Sequence, residues 1–99
     1  MGTDEILILL KKNKEQIFKS FELEGLGIFG SYASGNQHQD SDIDVLIFPK
    51  KETIFTYKKR LGLESFFRDL LHIEKVDIVN NRYINPIVKS QTANNILYV

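Results

Sequence analysis

The sequence predicts an α/β (α+β) fold in which a small mixed sheet of three to four strands packs against two to three helices. Two long segments repeat apolar residues at three- and four-residue spacing, and short β-branched or continuously apolar segments separate and follow them. Helices that alternate with strands imply a layered sandwich. The longest unbroken apolar run, Ile6 to Leu10, is far below the ~20 residues of a membrane helix. At 99 residues, without internal repeats or a Pro/Gly/Ser-rich linker, the chain reads as one domain, 1–99.

The first helix is expected from Thr3 and Asp4, which supply its cap, to about Phe21, with Ile6, Leu7, Leu10, Ile17, Phe18 and Phe21 on one face. Gly25 and Gly27 bracket a break, and Leu26–Phe29 reads as a buried strand of about four residues. Residues Ser31 to Ser41 form a polar loop leading into a second strand, Asp42–Phe48, which Pro49 helps to end. A second amphipathic helix follows from about Thr56 to His72, with Gly62 as its weak point. Lys75–Val79 reads as a third strand closed by Asn80-Asn81. Asn85-Pro86 suits the start of a last helix to about Ala93, and Ile96–Val99 an edge strand.

Thirteen basic residues balance thirteen acidic ones, so no general field draws the chain to nucleic acid or to a membrane surface, and any polyanion must be held by a local site. The absence of cysteine excludes a disulfide framework and thiolate metal sites, and with the lack of a signal-like segment it leads to an expected cytoplasmic location. His38 and His72 have no metal-type spacing and read as solvent-facing or capping residues.

Chemistry concentrates elsewhere. Asp42 and Asp44, one residue apart on an expected strand, project from the same side and can share a cation. Asp40-Ser41-Asp42 alone would be a polar turn, but Asp44 lies inside the strand, where a lone carboxylate is costly to desolvate. Asp77 interrupts the third apolar run; if its strand lies beside the second, a third carboxylate joins the pair, and otherwise it decorates an edge. Upstream, Gly30 lets backbone approach a ligand closely, and Ser31 offers an amide and a hydroxyl to phosphate oxygens.

In sequence, a strand leads to Gly30-Ser31, ten residues follow, then Asp42-Ile43-Asp44 opens a second strand and Asp77 stands in a third. The segment GIFGSYASGNQHQDSDIDVLIF resembles the signature of the polymerase β-type nucleotidyltransferase superfamily, and most closely its minimal nucleotidyltransferases, antitoxins paired with HEPN-domain ribonuclease toxins. KVDIVN and NPIVKSQTANNILYV extend the likeness over most of the chain. That resemblance implies a polymerase β-like fold. It implies Asp42, Asp44 and Asp77 as catalytic ligands of two Mg²⁺ ions, Asp77 also as a base, and Gly30 and Ser31, with Asp42 and Asp44, as the nucleotide-binding set. The implied reaction moves AMP from ATP to a hydroxyl, a tyrosine of a cognate HEPN toxin. The alternatives are an antitoxin that acts by binding alone and adenylyl transfer to a small molecule. Ser34 stands where family members often carry Arg, which leaves Lys50, Lys51, Arg60 and Arg82 as candidate replacement cations.

Overall fold

The computed structural model describes residues 2–35, 42–84 and 95–99. The amphipathic N-terminal segment forms two helices, α1 (Thr3–Lys12) and α2 (Lys14–Phe21), in place of the single helix that its spacing predicts. Asn13 makes the break. Its side-chain amide donates to the Leu9 carbonyl at 2.8 Å, and its backbone N–H donates to the same oxygen at 3.2 Å. The short amide thus competes for an acceptor that the helix would otherwise use alone.

Thr3, expected as a cap, instead opens the first turn of α1 behind Gly2, and its hydroxyl donates to the Tyr32 carbonyl at 2.6 Å. That bond ties α1 to the turn after the first strand. Thr3→Val is expected to leave the Tyr32 carbonyl short of a donor and to cost about 1–2 kcal/mol. A thermal melt reads this as a fall of about 4–8 °C per kcal/mol for a domain of this size.

Glu22, at a left-handed φ of 55°, turns the chain directly into β1 (Leu23–Phe29), which is longer than the expected Leu26–Phe29. Gly25 and Gly27 therefore lie within the strand and do not bracket a break. The reason is a contact distant in sequence: a Cβ on Gly25 would stand 2.9 Å from the Phe48 ring of the neighbouring strand. After β1 the expected polar loop begins with a single helical turn, α3 (Ser31–Ser34), closed by Gly35.

β2 (Ile43–Pro49) starts one residue later than expected, which leaves Asp42 just outside it, and Pro49 is its last residue. α4 (Tyr57–Leu71) is unbroken at Gly62. The Thr56 hydroxyl accepts the Lys59 N–H at 3.2 Å at its start, and His72, exposed at φ 55°, caps its end. β3 (Val76–Asn80) leads into a 3₁₀ turn, Asn81–Tyr83, and β4 (Leu97–Tyr98) is the expected edge strand. The anticipated helix from Asn85-Pro86 to Ala93, and His38, lie outside the described residues.

The sheet order is β3-β2-β1-β4. β1 runs antiparallel to both β2 and β4, whereas β2 and β3 are parallel, the connection supplied by α4. This is the mixed four-stranded sheet expected, with the helical count raised by the break at Asn13 and by α3. Alternation along β2 sends Ile43, Val45 and Ile47 into a core with Ile6, Leu10 and Ile17 of α1 and α2, Leu63, Phe67 and Leu71 of α4, and Ile78 of β3. The helices cover that face. Asp44, Leu46 and Phe48 point to the other.

Candidate active site

Parallel pairing of β2 with β3 sets Ile43 against Val76, Asp44 against Asp77 and Val45 against Ile78. Because the core residues of both strands face the helices, Asp44 and Asp77 stand side by side on the opposite face. On the other flank of β2, Phe29 is the register partner of Asp44, so Gly30 and Ser31 follow at the same end of the sheet. Asp42, exposed and two residues before Asp44, completes the group. Three strands thus converge on one end, and residues separated by up to 47 positions meet there.

Gly30 is required by its backbone. At φ 73° and ψ −148° it occupies a region open essentially to glycine alone. A Cβ there would also collide with Oδ2 of Asp44. The turn therefore presses its bare backbone against the carboxylate, while Ser31 starts α3 and the Ser34 N–H donates to the Gly30 carbonyl at 3.1 Å.

The Asp44 carboxyl is pushed above its ordinary 3.8, first by burial, then by the charge of Asp77 and then by that of Asp42. Like charges are therefore brought close enough to be felt. Among the described residues no three carboxylate or imidazole groups form a preformed metal cage. A hard cation such as Mg²⁺ needs none, because it keeps several waters and binds through one or two carboxylates together with substrate phosphates. An oxygen-only donor set, with three carboxylates gathered at one end of the sheet, fits that chemistry.

Of the four candidate cations, the structure brings one to the acids. Arg60 Nη2 lies 3.8 Å from Asp77 Oδ1. Arg82 instead donates to the carbonyls of Thr53 at 2.5 Å, Lys50 at 2.5 Å and Pro49 at 3.4 Å, beyond the far end of β2. Lys50 is six residues past Asp44, about 20 Å along the strand, and Lys51 lies further on, lining a shallow cleft with Arg82. Ser34 is exposed, and its hydroxyl donates to the Ser31 carbonyl at 3.2 Å. Thr3 was not anticipated here; nothing in the local sequence signals a bond that spans 29 residues.

Known proteins share this fold and sequence. The profile of the polymerase beta nucleotidyltransferase family matches residues 10–98. Two candidate protein adenylyltransferases of Methanocaldococcus jannaschii, MJ0126 and MJ1217, are each 38% identical to the chain over 96 residues, covering 96% of it and 95% of their own length. The protein adenylyltransferase MntA of Thermococcus cleftensis is 29% identical over 97% of the chain and 94% of its own. Among solved structures, a candidate minimal nucleotidyltransferase shares the fold with a TM-score of 0.74 at 24% identity, covering 98% of this chain and 95% of that one. A toxin–antitoxin structure with AMP-PNP shares it at 0.68 and 24% identity, covering 99% and 72%. No helix of the described residues is long and apolar enough to cross a membrane. Sheet topology, relatives 38% identical over nearly their whole length and a family match over residues 10–98 converge on one assignment: the chain belongs to the polymerase beta nucleotidyltransferase family and is a nucleotidyltransferase.

Proposed function

We propose that this protein transfers AMP from ATP to a tyrosine hydroxyl of a HEPN ribonuclease toxin and so acts as its antitoxin, with residues 1–99 as one catalytic domain working in the cytoplasm. The observation that carries the reading is the register pair Asp44–Asp77, with Gly30 held against Asp44 at the same sheet end. The names of its relatives support protein adenylyl transfer in a toxin–antitoxin setting, since MntA of Thermococcus cleftensis is a protein adenylyltransferase and a structural neighbour is a toxin–antitoxin with AMP-PNP; the tyrosine acceptor and the HEPN partner follow from the sequence resemblance.

On this reading Asp42, Asp44 and Asp77 would hold two Mg²⁺ ions, which supply charge to the attacking and leaving oxygens of an in-line displacement. Gly30 and Ser31 present amides and a hydroxyl to the polyphosphate, and the missing Cβ of Gly30 keeps that approach open. Asp77 takes the proton of the acceptor hydroxyl. The new bond forms between that oxygen and the α-phosphorus, the bond to the β-phosphate bridge breaks, and pyrophosphate leaves. Asp42 is exposed and the Asp77 side chain is 55% exposed, so the acids open to one side, as a protein acceptor requires.

The test is to incubate the purified chain with ATP, Mg²⁺ and a HEPN ribonuclease toxin tested as its partner, then to weigh that partner by mass spectrometry. A gain of one AMP on a tyrosine is expected. A partner left unmodified, under conditions in which a protein adenylyltransferase of the same family is active, removes the claim. If Asp42→Asn with Asp44→Asn still neutralises the toxin in cells, the protein acts by binding alone.

A further inference from the structure

The guanidinium of Arg60 is held from two sides. Its Nε lies 3.4 Å from Glu64 Oε1, one helical turn along α4, while Nη2 reaches over the sheet edge to Asp77 Oδ1 at 3.8 Å. Glu64 is the more enclosed partner, its side chain 17% exposed, whereas Asp77 is open. The anchor is therefore on the helix, and the reach toward Asp77 is loose enough to be exchanged.

A divalent cation and a guanidinium compete for the same carboxylate, and each repels the other. A polyphosphate reverses the preference, because it carries several negative charges and offers oxygens that match the planar fork of arginine. Among the described residues Arg60 is the basic side chain in ion-pair contact with the acids. The turn itself carries the hydroxyl of Ser34 and no cation.

We infer that Arg60 is a nucleotide-binding residue that neutralises Asp77 in the empty site and transfers to the nucleotide's phosphates when ATP arrives with its metal. The inference rests on the nucleotidyl-transfer reading. It predicts effects of opposite sign on two ligands, which a helix merely weakened by substitution cannot produce.

The experiment uses the full chain and the variants Arg60→Gln and Arg60→Lys. Free Mn²⁺ is counted by electron paramagnetic resonance without nucleotide, and a fluorescent non-hydrolysable ATP analogue is then titrated in with the metal present. Arg60→Gln is expected to bind Mn²⁺ alone about threefold more tightly and the analogue about tenfold more weakly. Arg60→Lys keeps the charge without the fork, so its Mn²⁺ affinity should match wild type and part of the nucleotide affinity should return. If Arg60→Gln weakens both ligands together, or leaves the nucleotide unaffected while wild type binds both, the inference is overturned and the transfer reading stands. A wild-type chain that binds neither ligand overturns both.

Discussion

Replacing Asp44 with Asn is expected to make this protein more stable and to remove its activity. The side chain is half-buried, and its carboxyl is raised above the ordinary 3.8 by burial, by Asp77 and by Asp42, in that order. A carboxyl with a higher pKa in the folded state binds more protons folded than unfolded between the two values. Stability therefore falls as pH rises from the ordinary carboxylate value through the raised one, and the loss remains in full above it. Asn cannot ionise, so Asp44→Asn should lack that decline. Thermal melts at a series of pH values from about 4 to 8 check it. The variant should melt higher than wild type at neutral pH, with the gap narrowing in acid. Divalent ions should raise the melting temperature of wild type, because they bind the native state, and should do so far less for Asp44→Asn. Transfer activity should fall by about 10³-fold, the scale on which losing one charge-stabilising group in an active site is felt. A variant that turns over at the wild-type rate would take Asp44 out of the chemistry.

Gly30→Ala is expected to damage both stability and catalysis. Its backbone at φ 73° and ψ −148° imposes about 1–3 kcal/mol on any residue with a Cβ. That methyl would occupy the position of Asp44 Oδ2, so the carboxylate must leave its place or the turn must retreat from it. Either movement separates the nucleotide-facing backbone from the acids, and activity should drop toward that of Asp44→Asn. The two costs can be divided by a double-mutant cycle. In an Asp44→Ala background the collision is absent and only the backbone strain remains, so Gly30→Ala should cost less stability there than in wild type. Equal costs in both backgrounds would show that the carboxylate does not press on the turn.

Much of this site was legible because its parts are local. Asp44 within an apolar strand, Gly30-Ser31 after another and Asp77 in a third are each visible in a few residues, and their family pattern supplies an order. Their meeting was legible only through the family pattern and as a condition on strand order, since the Asp44–Asp77 register depends on how α4 carries the chain from β2 to β3. The misreadings share that origin. Gly25 reads as a break until Phe48 is placed over it, and Thr3 reads as a cap until Tyr32 takes its hydroxyl. The break at Asn13 was written in a nearby residue but hidden by apolar spacing that continues across it. Arg60 stood among four equivalent cations, and only the fold separates it from Arg82, whose donors are spent on backbone carbonyls.

The division of labour across β2 bears on how the stability of such a small enzyme can be altered apart from its chemistry. Val45 and Ile47 belong to the helix-covered layer, while Asp44 stands on the face where Asp77 gathers, so adjacent positions answer to different physical constraints. Aliphatic exchanges of similar volume in the inner layer are tolerated in proteins at little energetic cost. Core packing on one side of the strand can therefore be changed, and the stability of the fold with it, without altering the carboxylate carried on the other.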